Sequence, residues 1–262
     1  MTAGDIPAVL LAPERFLLEL LWCSLRTGTA LTLLPAVGGQ VIPLQARIGV
    51  AFAVGALVRV SPAAPEPPAD PLGPAGLAAL AGELLVGLVL ALALHAAFAA
   101  AVIAGEWAGQ MMGLGYATLV SPGAGPTPVL AVVFSLVMWG VFLGSGGHLL
   151  LLGAILQSYR TLPDPALLLE GRGLDRILAW GGFAMASGVM AALPLTATLL
   201  LLNLLLAIAA RSAPQLNLFA VGFPLMLATG LVALPLALPG LADTLAGTLT
   251  TLQRDLSELT LG

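Results

Sequence analysis

The sequence predicts an all-α integral membrane protein, and its composition carries most of that prediction. Of the 262 residues, 59% are hydrophobic and 8% are charged, whereas a soluble domain has about 25% charged residues. So few charged side chains cannot cover the outside of a water-soluble protein of this size. Residues 107–159, 177–210 and 212–242 contain no Asp, Glu, Lys or Arg. Lipid accepts only helices or closed barrels, and these stretches lack the alternation of barrel strands, so we expect helices.

Glycine and proline residues divide the chain, taken as one domain over residues 1–262, into about six hydrophobic segments. A spanning helix needs about 20 apolar residues. The six segments lie near residues 16–36, 41–60, 77–104, 128–152, 177–210 and 218–242.

Three of the connections between these segments are distinctive. A Pro-rich loop covers residues 61–74, and the most polar stretch, 157–176, holds three Arg residues. The positive-inside rule favours the cytoplasm for that stretch. The Gly/Pro loop 120–128 has no charge, and its backbone would be costly to expose to lipid, so we expect it to be buried in protein or to line a cavity.

A stripe of small side chains runs through and beyond the third segment. One small residue recurs at every fourth position: Ala93, Ala97, Ala101, Gly105, Gly109, Gly113 and Ala117. On a helix these residues share one face and let another backbone approach closely. We therefore expect Gly109→Leu to block folding or assembly.

Ionisable residues inside apolar segments are functional candidates. Glu19 and Arg26 share one face of the first helix, and His95 and Glu106 share a face of the third, while Glu83 points elsewhere. One interpretation is a proton relay in a secondary transporter that uses Glu83, His95 and Glu106. The other is that these groups are satisfied at helix ends or partner subunits. We favour the second, because no acid is paired at i, i+4 within the buried stretches, and the internal repeat usual in transporters is missing.

Several function classes lack the residues that they need. All nine basic residues are Arg and the net charge is −4, which offers no surface for nucleic acid. Cys23 is the single cysteine, so no internal disulfide can form, and two histidines make a histidine metal site improbable. Ser145 and His148 are too close in sequence to suit a nucleophile and its base, so an intramembrane hydrolase is disfavoured. No nucleotide motif occurs, and we expect no cofactor.

Two stretches of the chain carry distinctive motifs. The first is GEWAGQMMGLGYA at 105–117, followed by Ser121-Pro122. The second, which is more specific, is RSAPQLN at 211–217 with GFPL at 222–225. With these motifs the chain resembles, over nearly its whole length, the FliR family, the export-gate subunits of bacterial flagellar type III secretion. The Gly-Phe-Pro ending favours the flagellar branch over the virulence-injectisome branch, which remains an alternative.

The resemblance implies a transport role without catalysis. Family members join FliP and FliQ subunits, with FlhB attached, in a hetero-oligomeric gate of bent helical hairpins in the bacterial inner membrane at the flagellar basal body. Unfolded flagellar proteins leave through this gate. Members place the segment after the Gly-rich stretch in the lumen as a plug, which corresponds here to residues 113–122. Ser121 stands where the family often has Asp, so a lumenal charge is lost.

The residues implied by this resemblance fall into two groups. Plug and gate residues are Met111, Met112, Gly113, Gly115, Tyr116, Leu119, Ser121 and Pro122. Helix-packing and assembly residues are Ala97, Ala101, Gly105, Gly109, Asn203, Arg211, Pro214, Gln215, Asn217, Gly222, Phe223 and Pro224.

Overall fold

The computed structural model describes residues 13–33, 35, 43–61, 64–114, 129–162, 172–212 and 218–261. These residues form seven helices and no strand, which confirms the all-α prediction for the described part of the chain. The helices are α1 (Pro13–Thr32), α2 (Leu44–Val60), α3 (Pro74–Met111), α4 (Val129–Gly144), α5 (Gly147–Thr161), α6 (Arg172–Ser212) and α7 (Leu218–Leu261).

The expected six hydrophobic segments are not confirmed as membrane spans. Three described helices are long and apolar enough to cross a membrane: α3, residues Gly173–Ser212 of α6 and Val221–Leu259 of α7. Counting the bent pair α4–α5 as one span would make four. Helix α1 does not qualify as a membrane span because its 20 residues include several charged side chains. Helix α2 has only 17 residues, which at 1.5 Å per residue are too short to cross a bilayer core about 30 Å thick.

The hydrophobic segment expected near 128–152 is divided by a bend. Helix α4 ends at Gly144, and α5 begins at Gly147 after a bend of 66°. Gly146 has φ +71°, a left-handed conformation that glycine adopts without steric cost. Its N–H donates to the carbonyl of Leu143 at 3.2 Å. Helix α5 then continues to Thr161, into the stretch expected to be a polar connection.

The chain divides into two compact units. The first comprises Met1–His95, His148–Ala179 and Gln253–Gly262. In it, α2 and α3 both pack closely on α1. A Cβ atom at Gly55 of α2 would collide with Ser24, and one at Gly87 of α3 would lie 2.5 Å from the carbonyl oxygen of Arg26. These two glycines therefore let the helix backbones approach.

The second unit comprises Ala96–Gly147 and Trp180–Leu252. A Cβ atom at Gly105 of α3 would lie 2.5 Å from the backbone nitrogen of Ala131 on α4, and one at Gly188 of α6 would lie 2.8 Å from the carbonyl of Ala100. The small residues of α3 thus admit two neighbouring helices. An edge-to-face cluster of Phe98, Trp139 and Phe142 fills the space beside them.

Burial differs sharply among the long helices. The most apolar part of α3 is 67% buried, against 22% for α6 and 17% for α7. Large apolar side chains such as Leu201, Leu205 and Leu236 remain exposed at 63%, 62% and 80%. Apolar surface of this extent needs lipid or protein partners to cover it.

Candidate functional site

A buried ion pair joins α1 to α3 in the first unit. The Arg26 side chain is 1% exposed and that of Glu83 is 8% exposed. The guanidinium donates from Nε to Oε2 at 2.9 Å and from Nη2 to Oε1 at 3.0 Å. This two-bond geometry is the strongest form of an arginine–carboxylate contact.

The remaining donors of Arg26 bind α5 and the residue that follows it. Nη1 donates to the Ser158 hydroxyl at 3.1 Å, and Nη2 donates to the Leu162 carbonyl at 3.2 Å. The guanidinium also lies 4.4 Å from the ring centre of Tyr159, a distance suited to a cation–π contact. The Tyr159 hydroxyl returns to α1 by donating to the carbonyl of Cys23 at 2.8 Å.

These contacts fix the positions of three helices relative to one another. Two charges taken out of water are tolerated because each is paired and hydrogen-bonded. Glu83 is therefore satisfied by Arg26 within the chain, and not at a helix end or by a partner subunit as expected. Sequence periodicity cannot find a partner 57 residues away. The available signal was Arg26 itself, because an arginine in an apolar helix requires an acidic or carbonyl partner.

A second charged cluster lies near the start of α1. Glu19 accepts from Arg59 of α2 at 2.8 Å and from Arg15, one helical turn earlier, at 3.1 Å. Arg59 also lies 4.2 Å from the ring centre of Phe16. The hydrogen bond from Arg59 lowers the pKa of Glu19 below its ordinary value, and the contact with Arg15 adds to this. Glu19 thus has an i, i+4 partner at the exposed end of α1, which the sequence interpretation had overlooked.

The other ionisable candidates do not join Glu83. His95 is exposed, and its Nε2 contacts the carbonyl oxygen of Leu33. Glu106 is half-buried further along α3. Within the described residues no hydrogen bond links Glu83, His95 and Glu106, and Ser145 directs its hydroxyl to the Phe142 carbonyl at 3.4 Å.

The start of the predicted plug has a defined geometry. Gly113 adopts φ +78°. Its N–H donates to the carbonyl oxygen of Gln110, and the Leu114 N–H donates to the carbonyl oxygen of Gly109, both at 3.0 Å. This pair of bonds is a Schellman motif, which ends a helix and redirects the chain. Gly115, Tyr116, Leu119, Ser121 and Pro122 lie outside the described residues.

Met112 anchors this helix end in the second unit. Its side chain is 1% exposed, and a Cβ atom at Gly230 of α7 would lie 2.5 to 2.7 Å from three of its side-chain atoms. Glycine at 230 therefore provides the space in which the thioether lies. Met111 is half-buried beside it.

The predicted assembly residues occupy different environments. Ala97 and Ala101 are fully buried within the chain, and Gly105 contacts α4. Gly109 is looser, since its nearest neighbours would lie at 3.9 Å from an added Cβ atom. Gly222 is buried, whereas the exposed members are Asn203, Arg211, Phe223 and Pro224. Pro214, Gln215 and Asn217 lie outside the part of the chain that the structure describes.

Across the described ranges, no group of three or more His, Cys, Asp or Glu side chains is arranged to hold a metal ion. The long apolar helices and the internally paired charges define a helical membrane protein. Residues 17–252 match the family described as bacterial export proteins, family 1, and the chain belongs to this family.

Curated relatives support the same assignment. The chain is 31% identical to the flagellar biosynthetic protein FliR of Escherichia coli K12, with 84% of each chain covered. It is 33% identical to FliR of Pectobacterium carotovorum over the same shares. It is 31% identical to FliR of Aquifex aeolicus, with 89% of this chain and 90% of the relative covered.

Proposed function

We propose that the chain is a non-enzymatic component of flagellar type III protein export in the bacterial inner membrane. It assembles with FliP-, FliQ- and FlhB-like subunits around the path of unfolded flagellar proteins. The observation that carries this proposal is the family match over residues 17–252, together with relatives named FliR. Those names favour the flagellar branch over the injectisome branch.

The exposed surfaces of α6 and α7 support an assembled state. Asn203 and Arg211 are exposed on α6, among leucines that are also exposed. A polar side chain on an apolar helix is satisfied by hydrogen bonds to another helix rather than by lipid. We assign this surface to contacts with partner subunits.

The proposed gate is the segment 113–122. Its support is the helix end at Met111, the redirection of the chain at Gly113 and the buried anchor at Met112. An anchored start lets the following Gly-rich, uncharged residues move while α3 stays in place. Apolar residues in a narrow channel exclude water and ions.

The assembly proposal is tested by purifying the tagged chain from its native membranes in mild detergent. Native mass spectrometry then weighs the intact complex. We expect one copy of this chain with several FliP- and FliQ-like chains. A monomer or homodimer that is reproducibly free of such partners would refute the proposal.

The plug is tested separately by deleting residues 114–122. Native mass first establishes that the variant still assembles, and proteoliposomes loaded with a small dye then report leakage. We expect the assembled variant to leak and the parent complex to stay closed. Equal retention of dye by both would refute the plug while leaving the export role intact.

A further inference from the structure

An open groove lies between α2 and α5 in the first unit. It has a volume of about 630 Å³, within the range of sites for small molecules. Leu57 and Val60 form one wall and are 61% and 82% exposed, while Leu156 belongs to the other wall. Buried Val58 and Tyr159 complete the lining.

One end of the groove is polar and positively charged. Arg160 and Gln157 line it and are exposed. Arg176 pairs with Glu258 at 3.1 Å, whereas Arg160 has no ion-pair partner among the residues that the structure describes. The groove is therefore apolar along most of its length and ends at the guanidinium of Arg160.

Gly153 lies inside α5 and faces this groove. A Cβ atom added there would meet no atom within 4 Å, so no neighbour in the described chain requires a glycine at this position. Glycine inside a helix costs about 1 kcal/mol relative to alanine. Glycine also suits places where a ligand approaches the backbone closely.

We propose that this groove binds an anionic phospholipid. An acyl chain lies along Leu57, Val60 and Leu156, passes over Gly153, and brings the phosphate to Arg160. Arginine suits a phosphate because its planar donors match the phosphate oxygens. Basic sites of this kind bind anionic lipids on the cytoplasmic side of membrane proteins, the side that the positive-inside rule favours for the stretch containing Arg160. The inference rests on residence in a membrane and not on the export role.

The test measures lipid retention by the purified full-length chain. The protein is transferred from nanodiscs of phosphatidylglycerol and phosphatidylcholine into mild detergent. Each lipid is then titrated into the detergent sample, and native mass spectrometry counts the lipids bound to the protein. We expect phosphatidylglycerol to bind about tenfold more tightly than phosphatidylcholine, the scale of one charge-assisted contact. Arg160→Gln should remove this difference. Gly153→Leu should reduce binding of both lipids by filling the groove.

Gly140→Leu is the matched control, because Gly140 of α4 also has open space beside its Cβ position but lies outside the groove. This control should bind lipid as the parent does. Equal binding of both lipids by the parent, or unchanged selectivity in Arg160→Gln, would overturn the proposal. Displacement of phosphatidylglycerol by inorganic phosphate would indicate a plain anion site and would also overturn it. A photocrosslinker at position 153 that captures another protein chain in native membranes would do the same.

Discussion

Neutralising Glu83 isolates the contribution of the buried ion pair. Glu83→Gln keeps the shape of the side chain but leaves the Arg26 cation without its counter-charge at 1% exposure. Removing one partner of a buried pair costs about 3–5 kcal/mol. Since 1.4 kcal/mol is a tenfold change, the open fraction of the first unit should rise roughly a hundredfold to several thousandfold.

The single cysteine provides the assay. Cys23 is 1% exposed on α1, three residues before Arg26. A maleimide dye should therefore label it only when this part of the first unit opens. Labelling rates in mild detergent, together with thermal unfolding curves, compare the parent with Glu83→Gln. Glu106→Gln on the same helix is the control, because no ion pair joins Glu106 to another described residue.

A double variant separates pairing from packing. Replacing both charges, with Arg26→Met and Glu83→Leu, removes the uncompensated cation and should leave stability neutral or improved. The stabilising role of the ion pair is refuted if Cys23 is labelled no faster in the Glu83→Gln variant than in the parent. It is also refuted if the double variant labels as fast as the single one.

Three further outcomes are expected from the packing and the second charged cluster. Gly105→Ala should destabilise the second unit by about 1–3 kcal/mol in thermal unfolding, because the backbone of α4 cannot yield. Gly109→Ala has room for its methyl group and should gain about 1 kcal/mol of helix propensity. Similar melting shifts for the two variants would contradict this difference in packing. Gly230→Ala should displace the buried Met112 side chain and raise dye leakage from the assembled complex. Gly240→Ala on the same helix meets no neighbour within 4 Å and should leave leakage unchanged. Equal leakage from both variants would exclude Met112 as the anchor of the plug. The lowered pKa of Glu19 implies stability that is present above its ordinary value of 4.5 and lost as pH falls through the lower folded-state value. Glu19→Gln should abolish that acid-dependent part of the melting curve, and an unchanged pH profile would count against the cluster.

The helical class was predictable because composition and the pattern of the charge-free stretches both indicate it. Long runs without charge require a structure that satisfies its own backbone in lipid, and helices do so. The small-residue stripe was visible in α3 as far as Gly109, since a four-residue spacing gives one helix face. Its extension to Gly113 was wrong, because the helix ends at Met111 and Gly113 has a positive φ. Which member of the stripe makes the tightest contact was not predictable. Gly105 contacts backbone and Gly109 does not, because the crossing point of α3 and α4 depends on tertiary packing.

The candidate site was predictable only in part. A charge in an apolar helix marks Arg26 as a residue that needs a partner, but the identity of the partner depends on the rotation of separate helices. The bend at Gly146 had a local signal in the glycines of residues 144–147, but apolar residues continue on both sides of it and favoured a single segment. The plug residues from 115 onward stay a prediction that rests on the family resemblance.

The ion pair can form only after a delay during synthesis of the chain. Arg26 leaves the ribosome 57 residues before Glu83 and 132 residues before Ser158. At about 5–20 residues per second, the arginine waits about 3–11 s for its carboxylate. During that interval α1 carries an unpaired cation that is unfavourable in hydrocarbon. A nascent chain that stops before α3 therefore lacks the carboxylate that pairs with Arg26, and we expect α1 and α2 not to insert stably without it.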